Sequence, residues 1–283
     1  MPIDPAIGRR DAIARKIQRE RRRYPVIWAR LIGEWRGADR DAAWLTYSAN
    51  YLLHTAGVRW GLDPFSLLTR VGGEQPDFVR DLAGMELVVL THAHSDHIDE
   101  PLLSAIRDFP LTWLIPDFLQ KRVIQVTGLP PERILTPRAG HPIVFGGLRL
   151  TPFNSLHLHP EGGLPEMGYL AEFNGKRWLF PGDIRTYDAG QLPVFGRLDG
   201  VVAHLWLGKS SALMSPPPRL EEFCNFHAGL KPREIVVTHL EDLGREPEDY
   251  WTLAHYRQAA RLIKKLAPAI DVSSARTGQR KLL

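Results

Sequence analysis

Cysteine is almost missing from this chain of 283 residues: Cys224 stands alone. No intrachain disulfide can form, so packing, alone or together with metal, has to hold the fold, in keeping with a reducing compartment. No apolar run approaches the ~20 residues that a membrane span needs. The N-terminus also lacks the continuous apolar stretch of a secretory signal, so a cytoplasmic location is expected. Low-complexity tracts and internal repeats are absent, which sets aside repeat architectures and wholesale disorder. What remains is a globular composition, 44% hydrophobic, long enough for one large domain or two ordinary ones.

The net charge of +4 is unevenly placed, because eleven basic and five acidic residues fall within residues 1–40. The rest of the chain is slightly acidic, so the basic excess belongs to an N-terminal arm. Arg19, Arg21, Arg22 and Arg23 could face nucleic acid or an anionic membrane. A solvated helix face explains the same run more simply, and nucleic acid is not the expected partner. Ile13, Ile17, Tyr24, Ile27, Leu31 and Trp35 recur mostly at helical steps, with Pro25 predicting a break. Residues 1–43 therefore read as a two-helix arm that lies on the body or on another subunit, a route to a homo-oligomer.

From Trp44 to Leu53 the pattern alternates and is rich in aromatics, Val58 to Leu62 is another short strand, and Asp63-Pro64 marks a turn; together they read as an opening hairpin. Then a motif recurs in which a short apolar run leads into a metal-binding residue type. Glu86 to Leu90 leads into His92, Leu148 to Phe153 into His157, Arg177 to Phe180 into Asp183, and Glu234 to Val237 into His239. Helices are predicted at Pro101–Asp108, Pro116–Thr127, Arg219–Leu230 and Pro247–Leu266. Strands and helices intermix, which gives an α/β class with helix-covered sheets over residues 44–270. The polar residues Ser273 to Leu283, within a C-terminal tail of 271–283, are expected to fray.

The densest chemistry is Thr91-His92-Ala93-His94-Ser95-Asp96-His97: three histidines and an aspartate in six residues after a buried-type strand. Imidazole and carboxylate together suit zinc, manganese or iron, and in an extended segment residues i and i+2 point to the same side. His92 and His94 can thus share one ion. Asp96 and His97, being adjacent, diverge toward a second ion ~3.5–4 Å away, the usual two-metal spacing. Asp99 is placed to cap a helix that opens at Glu100-Pro101.

His-x-His-x-Asp-His after a strand resembles the signature of the metallo-β-lactamase superfamily, and His157, Gly182-Asp183 and His239 follow in that family's order. The resemblance spans about residues 44–260 and implies an αββα sandwich with two divalent ions, most readily Zn²⁺, with Mn²⁺ or iron as alternatives, at one edge. It implies that His92, His94 and His157 hold one ion, that Asp96, His97 and His239 hold the other, and that Asp183 bridges them. Asp63 matches an aspartate that supports the metal loop. Leu62-Asp63-Pro64-Phe65 and His97-Ile98-Asp99 look closest to the L-ascorbate 6-phosphate lactonase and phospholipase D-like branches. Common zinc β-lactamases carry a cysteine where Gly182-Asp183 stands, and Cys224 sits in a helical pattern instead. Flavo-diiron relatives prefer Glu where His94 stands. RNA-cleaving relatives with an extra domain need more chain than residues 184–238 provide.

The expected activity is hydrolysis of an ester, lactone or phosphodiester by a metal-bridged hydroxide, with Asp96 and Asp183 orienting it and moving its proton. An iron-dependent redox enzyme on the same fold, or a nuclease of the same superfamily, is the alternative. His159 shares the i, i+2 spacing with His157 and competes for the third ligand position. His54, His141, His204, His227 and His255 lack a partner at ligand spacing and read as structural or surface residues, His204 least clearly because it ends the apolar run Val201-Val202-Ala203. Tyr187, Lys209 and Ser210 could hold an anionic substrate group, although ordinary loop polarity explains them as well.

Overall fold

A computed structural model describes the backbone of residues 5–283, with side chains from Gly8 onward. The chain opens with one continuous helix, α1 (Pro5–Arg36), which runs through Pro25. The expected break does not occur. Proline costs a helix interior about 3 kcal/mol, and here the flanking side chains outweigh it. Tyr24, Trp28, Leu31, Ile32 and Trp35 are all buried against the body. Tyr24 donates to the Thr46 carbonyl, Trp28 to Asp81 and Trp35 to the Leu53 carbonyl, each at 2.9 Å. The apolar stripe of the arm is thus spent within its own chain.

Six short strands follow: β1 (Ala42–Leu45), β2 (Tyr51–Thr55), β3 (Val58–Leu62), β4 (Leu87–Val89), β5 (Thr112–Leu114) and β6 (Ile134–Leu135). Helices α2 (Leu67–Val71), α3 (Phe78–Asp81), α4 (Glu100–Ala105) and α5 (Asp117–Thr127) lie between them. Asp99 caps α4 as expected, accepting from Leu102 N at 3.1 Å. The second half contributes β7 (Ile143–Phe145), β8 (Leu148–Asn154), β9 (Met167–Phe173), β10 (Lys176–Phe180), β11 (Gly200–His204), β12 (Glu234–Thr238) and β13 (Asp271–Ser274), with α6 (Leu220–Gly229) and α7 (Leu253–Leu266). A last strand, β14 (Arg280–Leu282), returns to pair antiparallel with β1. The residues expected to fray are therefore held: β13 pairs with β12 and β14 with β1, so backbone partners rather than side-chain polarity decide their order.

The strands form two mixed sheets of seven, ordered β14-β1-β2-β3-β4-β5-β6 and β13-β12-β11-β10-β9-β8-β7. Period-two alternation assigns each face. In the first sheet Trp44, Leu52, Val88 and Trp113 point to the layer under α1 to α5, while Leu53, Trp60, Val89 and Leu114 point to the second sheet. In the second sheet Leu150, Tyr169, Trp178, Val202 and Val236 meet them in the middle, and Ile235, Val237 and Ala203 face α6 and α7. The result is the αββα sandwich. Among the described residues no helix is long and apolar enough to cross a membrane.

Two outcomes follow from this packing. Trp35→Ala, which empties a fully buried site and removes the hydrogen bond to the Leu53 carbonyl, should lower unfolding free energy by about 3–5 kcal/mol; denaturant unfolding reads it, and a loss under about 1 kcal/mol would show that α1 is not part of the core. Burial pushes the Cys224 thiol up to about 12, so a thiol reagent at neutral pH should leave the native chain unmodified and label one thiol per chain only in denaturant.

Candidate metal centre at the joined sheet edges

The four strands that run into candidate residues end on the same side of the sandwich. β10, β11 and β12 are mutually parallel, as are β3 and β4, so their carboxyl ends share an edge, the usual place for sites in such sheets. Asp63 leaves β3, His92 follows β4, His157 follows β8, Asp183 follows β10 and His239 follows β12. Asp63 and His239 take left-handed backbone conformations, with φ of 43° and 61°, strain that persists only where surrounding contacts over-determine it. Gly182, with φ 82°, allows a closer approach still: a Cβ there would lie 2.3 Å from the Glu166 carboxylate.

All seven expected side chains come together. His92, His94, His157 and Asp183 form one group of donor atoms within 4.8 Å of one another, and Asp96, His97 and His239 form a second. The imidazoles of His92 and His157 are 4.5 Å apart and those of His92 and His97 4.0 Å apart. His159 does not join them. β8 ends at Asn154, so strand alternation does not govern the turn beyond it; His159 Nδ1 instead accepts from Glu161 N at 3.1 Å.

Outer contacts set the tautomers. His94 Nε2 faces the Gly162 carbonyl at 3.0 Å, which only accepts, so Nε2 carries the proton and Nδ1 a lone pair. His97 Nδ1 faces Asp63 Oδ2 at 2.7 Å, which leaves Nε2 as its lone-pair atom. His92 Nδ1 lies 2.9 Å from both Thr91 Oγ1 and Glu166 Oε1. Its Nε2 therefore points, unprotonated, at His94 Nδ1 only 3.1 Å away. His92 Nε2, His97 Nε2 and His239 Nε2 also surround one oxygen, Asp183 Oδ2, at 3.9, 3.7 and 3.6 Å. His97 Nε2, both nitrogens of His157 and Asp96 Oδ1 are buried without any hydrogen-bond partner. His239 Nε2 lies 3.3 Å from Asp96 Oδ2 without hydrogen-bond alignment. Lone pairs facing lone pairs in a buried site repel, and a cation between them reverses the sign. The donor set thus fits divalent metal.

The electrostatics divide the imidazoles: with no cation between the carboxylates, His97 and His239 are the two that, against burial, the acids drive toward the protonated form. Burial holds His92, His94 and His157 below the ordinary imidazole value, His157 down to about 3. Burial also opposes charge on His97, but Asp183 and Asp63 overcome it and hold that group well above its ordinary value. Asp96 and Asp183 are buried as well; against that burial, the imidazoles of His239 and His97 keep both well below the usual carboxylate range, with Arg245 adding to the effect on Asp96.

Two residues escaped the sequence reading. His204, set aside for want of a partner, donates from Nδ1 to Asp183 Oδ1 at 2.7 Å, and its Nε2 meets Tyr51 OH at 3.1 Å. Its position at the end of β11, like the other strand-end residues, was the one available signal. The contact leaves only Asp183 Oδ2 facing the cluster, since Oδ1 is committed to His204. Glu166, just before β9 in a loop, carries no sequence signal. It is 3% exposed, accepts from Asp183 N at 3.0 Å and underlies His92. The other histidines set aside stay outside the cluster; His227 contacts the Phe223 carbonyl at 2.8 Å and His255 caps α7. Tyr187 is spent on the Trp206 carbonyl, and Ser210 N donates to Asp249.

A cavity of about 210 Å³ opens on the cluster, lined by His94, His239, Arg185, Trp206, Lys209 and Trp251 among others. A larger one of about 320 Å³ beside α1 contains no member of the cluster.

The family model described as beta-lactamase superfamily domain matches residues 62–240. No curated protein sequence matches significantly. Among solved structures, Igni18, a metallo hydrolase from the archaeon Ignicoccus hospitalis, is 17% identical with a TM-score of 0.62 over 86% of this chain and 98% of its own. The isothiocyanate hydrolase from Delia radicum gut bacteria is also 17% identical, with a TM-score of 0.57 over 86% and 98%. CmlA, a diiron β-hydroxylase from Streptomyces venezuelae, is 16% identical with a TM-score of 0.62 over 87% of this chain but 54% of its own. At such identities the structures speak for the fold, and the family match covers more than half of the chain. With two helix-flanked sheets and a His/Asp cluster at their shared edge, the chain belongs to the metallo-β-lactamase superfamily.

Proposed function

We propose that the chain is a metal-dependent hydrolase with a two-metal centre that cleaves a small ester, lactone or phosphodiester. The observation that carries this reading is the set of buried, unprotonated acceptor atoms facing one another, above all His92 Nε2 and His94 Nδ1 at 3.1 Å. His92, His94 and His157 would hold one ion, Asp96, His97 and His239 the other, and Asp183 Oδ2 would serve both. When bound, such a pair of ions lowers the pKa of a shared water from ~15.7 toward ~7 and polarises the oxygen of the bond to be cut.

The chain's own residues do the rest. Arg245 anchors Asp96 through Oδ2 at 2.8 Å and is itself held by Asp242 at 2.7 Å. Asp96 Oδ1 is left free to orient a water and take its proton. His204, backed by Tyr51 and Thr238, keeps Asp183 from rotating. Trp206 and Trp251 wall the cavity and exclude bulk water. Its size suits a small molecule better than a nucleic-acid strand, which needs an extended basic groove.

Protein prepared without chelator should contain about two transition-metal ions per chain, zinc before manganese before iron, because seven donors exceed the four of one tetrahedral ion. Elemental analysis reads this, and a reproducible absence of all three metals would end the reading. A screen of esters, lactones and phosphodiesters should find turnover that chelation abolishes and that is equal in air and under argon; strict oxygen dependence would favour redox chemistry instead.

Asp183→Asn keeps the side chain's size and removes the charge that offsets two dications. Activity should fall at least ~100-fold, together with metal occupancy. Asp188→Asn is the control, since Asp188 only caps the next short turn by accepting from Gly190 N at 3.0 Å. Full turnover and two tightly held ions in Asp183→Asn would show that another carboxylate does the bridging.

A further inference from the structure

The cavity above the metal centre contains a charge that no carboxylate among the described residues pairs. Arg185 is only 7% exposed, and its Nε is buried without a hydrogen-bond partner. Among the described residues no carboxylate lies within ion-pair distance of it. Its neighbours are different: Arg245 is tied to Asp96 and Asp242 at 2.8 and 2.7 Å, and Arg219 reaches Glu161 at 3.4 Å. Burying an unpaired guanidinium is costly, and proteins retain such a group chiefly where a ligand completes it.

Its mounting points the same way. Arg185 N and Thr186 N both donate to the Leu156 carbonyl, at 2.9 and 3.0 Å, which fastens this loop beside His157. The guanidinium carbon lies 4.3 Å from the centre of the Trp206 ring. Stacking of that kind fixes the plane of the fork while leaving its N–H groups unspent. Lys209, exposed and without an ion pair among the described residues, lines the same cavity. Of the carboxylates in the wall, Asp249 accepts from the Ser210 N–H at 2.6 Å and Glu161 gives Oε1 to Arg219 at 3.4 Å, while Glu161 Oε2 is buried without a partner.

We infer that Arg185, with Lys209 in support, forms an anion subsite beside the metal centre, and that the molecule bound there carries a carboxylate or phosphate group separate from the bond to be cut. The word substrate rests on the hydrolase reading; the anion site itself does not. A planar fork held against an indole suits the two oxygens of either group, and the cavity volume of about 210 Å³ limits the molecule to small metabolite size.

Calorimetric titration of the metal-loaded full chain with inorganic phosphate and, separately, with glutarate tests this. The wild type should bind at least one of them, and the one that binds tells phosphate from carboxylate. Arg185→Gln should weaken that binding at least ~10-fold, and Arg185→Lys less, as expected for loss of a charge-assisted hydrogen bond. Binding of neither anion by the wild type overturns the proposal. So does equal binding by wild type and Arg185→Gln, which would place the anion on the metal alone. If Arg185→Gln does not fold, as judged by circular dichroism, Lys209→Ala on the surface decides: a loss of about 3-fold or more supports the subsite and an unchanged affinity overturns it. Wild-type hydrolysis of neutral 4-nitrophenyl acetate, measured in parallel, bears on the hydrolase reading alone, so the two can fail separately.

Discussion

Four carboxylates, those of Asp63, Asp96, Glu166 and Asp183, lie buried within one cluster of imidazoles, none more than 4% exposed. Buried charge is tolerated only where it is paired and hydrogen-bonded, and much of the local architecture serves that requirement. Asp63 is held by Thr91 N at 2.8 Å and by His97. Asp96 is held by Arg245, Asp183 by His204, and Glu166 by the Asp183 N–H. Asp63 and Glu166 have both oxygens engaged, whereas Asp96 and Asp183 each have one committed oxygen. What is left over, Asp183 Oδ2 and Asp96 Oδ1 with the lone pairs of the histidines, faces a common space. Division between a committed and an open edge is what makes a cation site out of a buried polar network.

The sandwich supplies the rigidity this demands. Parallel strands in the second sheet carry Asp183, His204 and His239 to one level, and β3 and β4 in the first sheet deliver Asp63 and the His92–His97 loop opposite them. The two halves are stitched directly at the site: Met167 N donates to the Thr91 carbonyl at 3.1 Å, and His239 N to the Ser48 carbonyl at 2.8 Å. Asn50 reaches both the Asp63 and Asp96 carbonyls, at 3.0 and 2.8 Å. α1 acts at a distance, since Tyr24 holds the Thr46 carbonyl at the start of that same turn. A basic arm that looks like an appendage is in this way part of the frame under the metal loop.

Local pattern was enough for the α/β class, the strand ends and the dense His92–His97 cluster, because each depends on short-range rules; the αββα arrangement and the full set of seven ligands came from the family resemblance. Alternation assigns strand faces, apolar runs mark buried strands, and His and Asp at their ends are rare enough to stand out. The same local reading fails wherever a distant partner decides. Pro25 sits inside a helix because Tyr24, Trp28 and Trp35 find receptors on the body. Residues 273–283 are ordered because β1 and β12 offer free edges.

The site divides along the same line. From the sequence come the identities of His92, His94, Asp96, His97, His157, Asp183 and His239, whose residue types the chemistry requires and whose order matches the family's signature. Tertiary structure alone decides which atoms they present: His94 turns Nδ1 inward because the Gly162 carbonyl, far along the chain, takes Nε2, and Asp183 offers one oxygen because His204 takes the other. It also reveals Glu166, His204 and the unpaired Arg185, three polar residues whose meaning lies in burial and in the partner they have or lack. Burial and partnership are properties of the packed chain, and no spacing along the sequence encodes them.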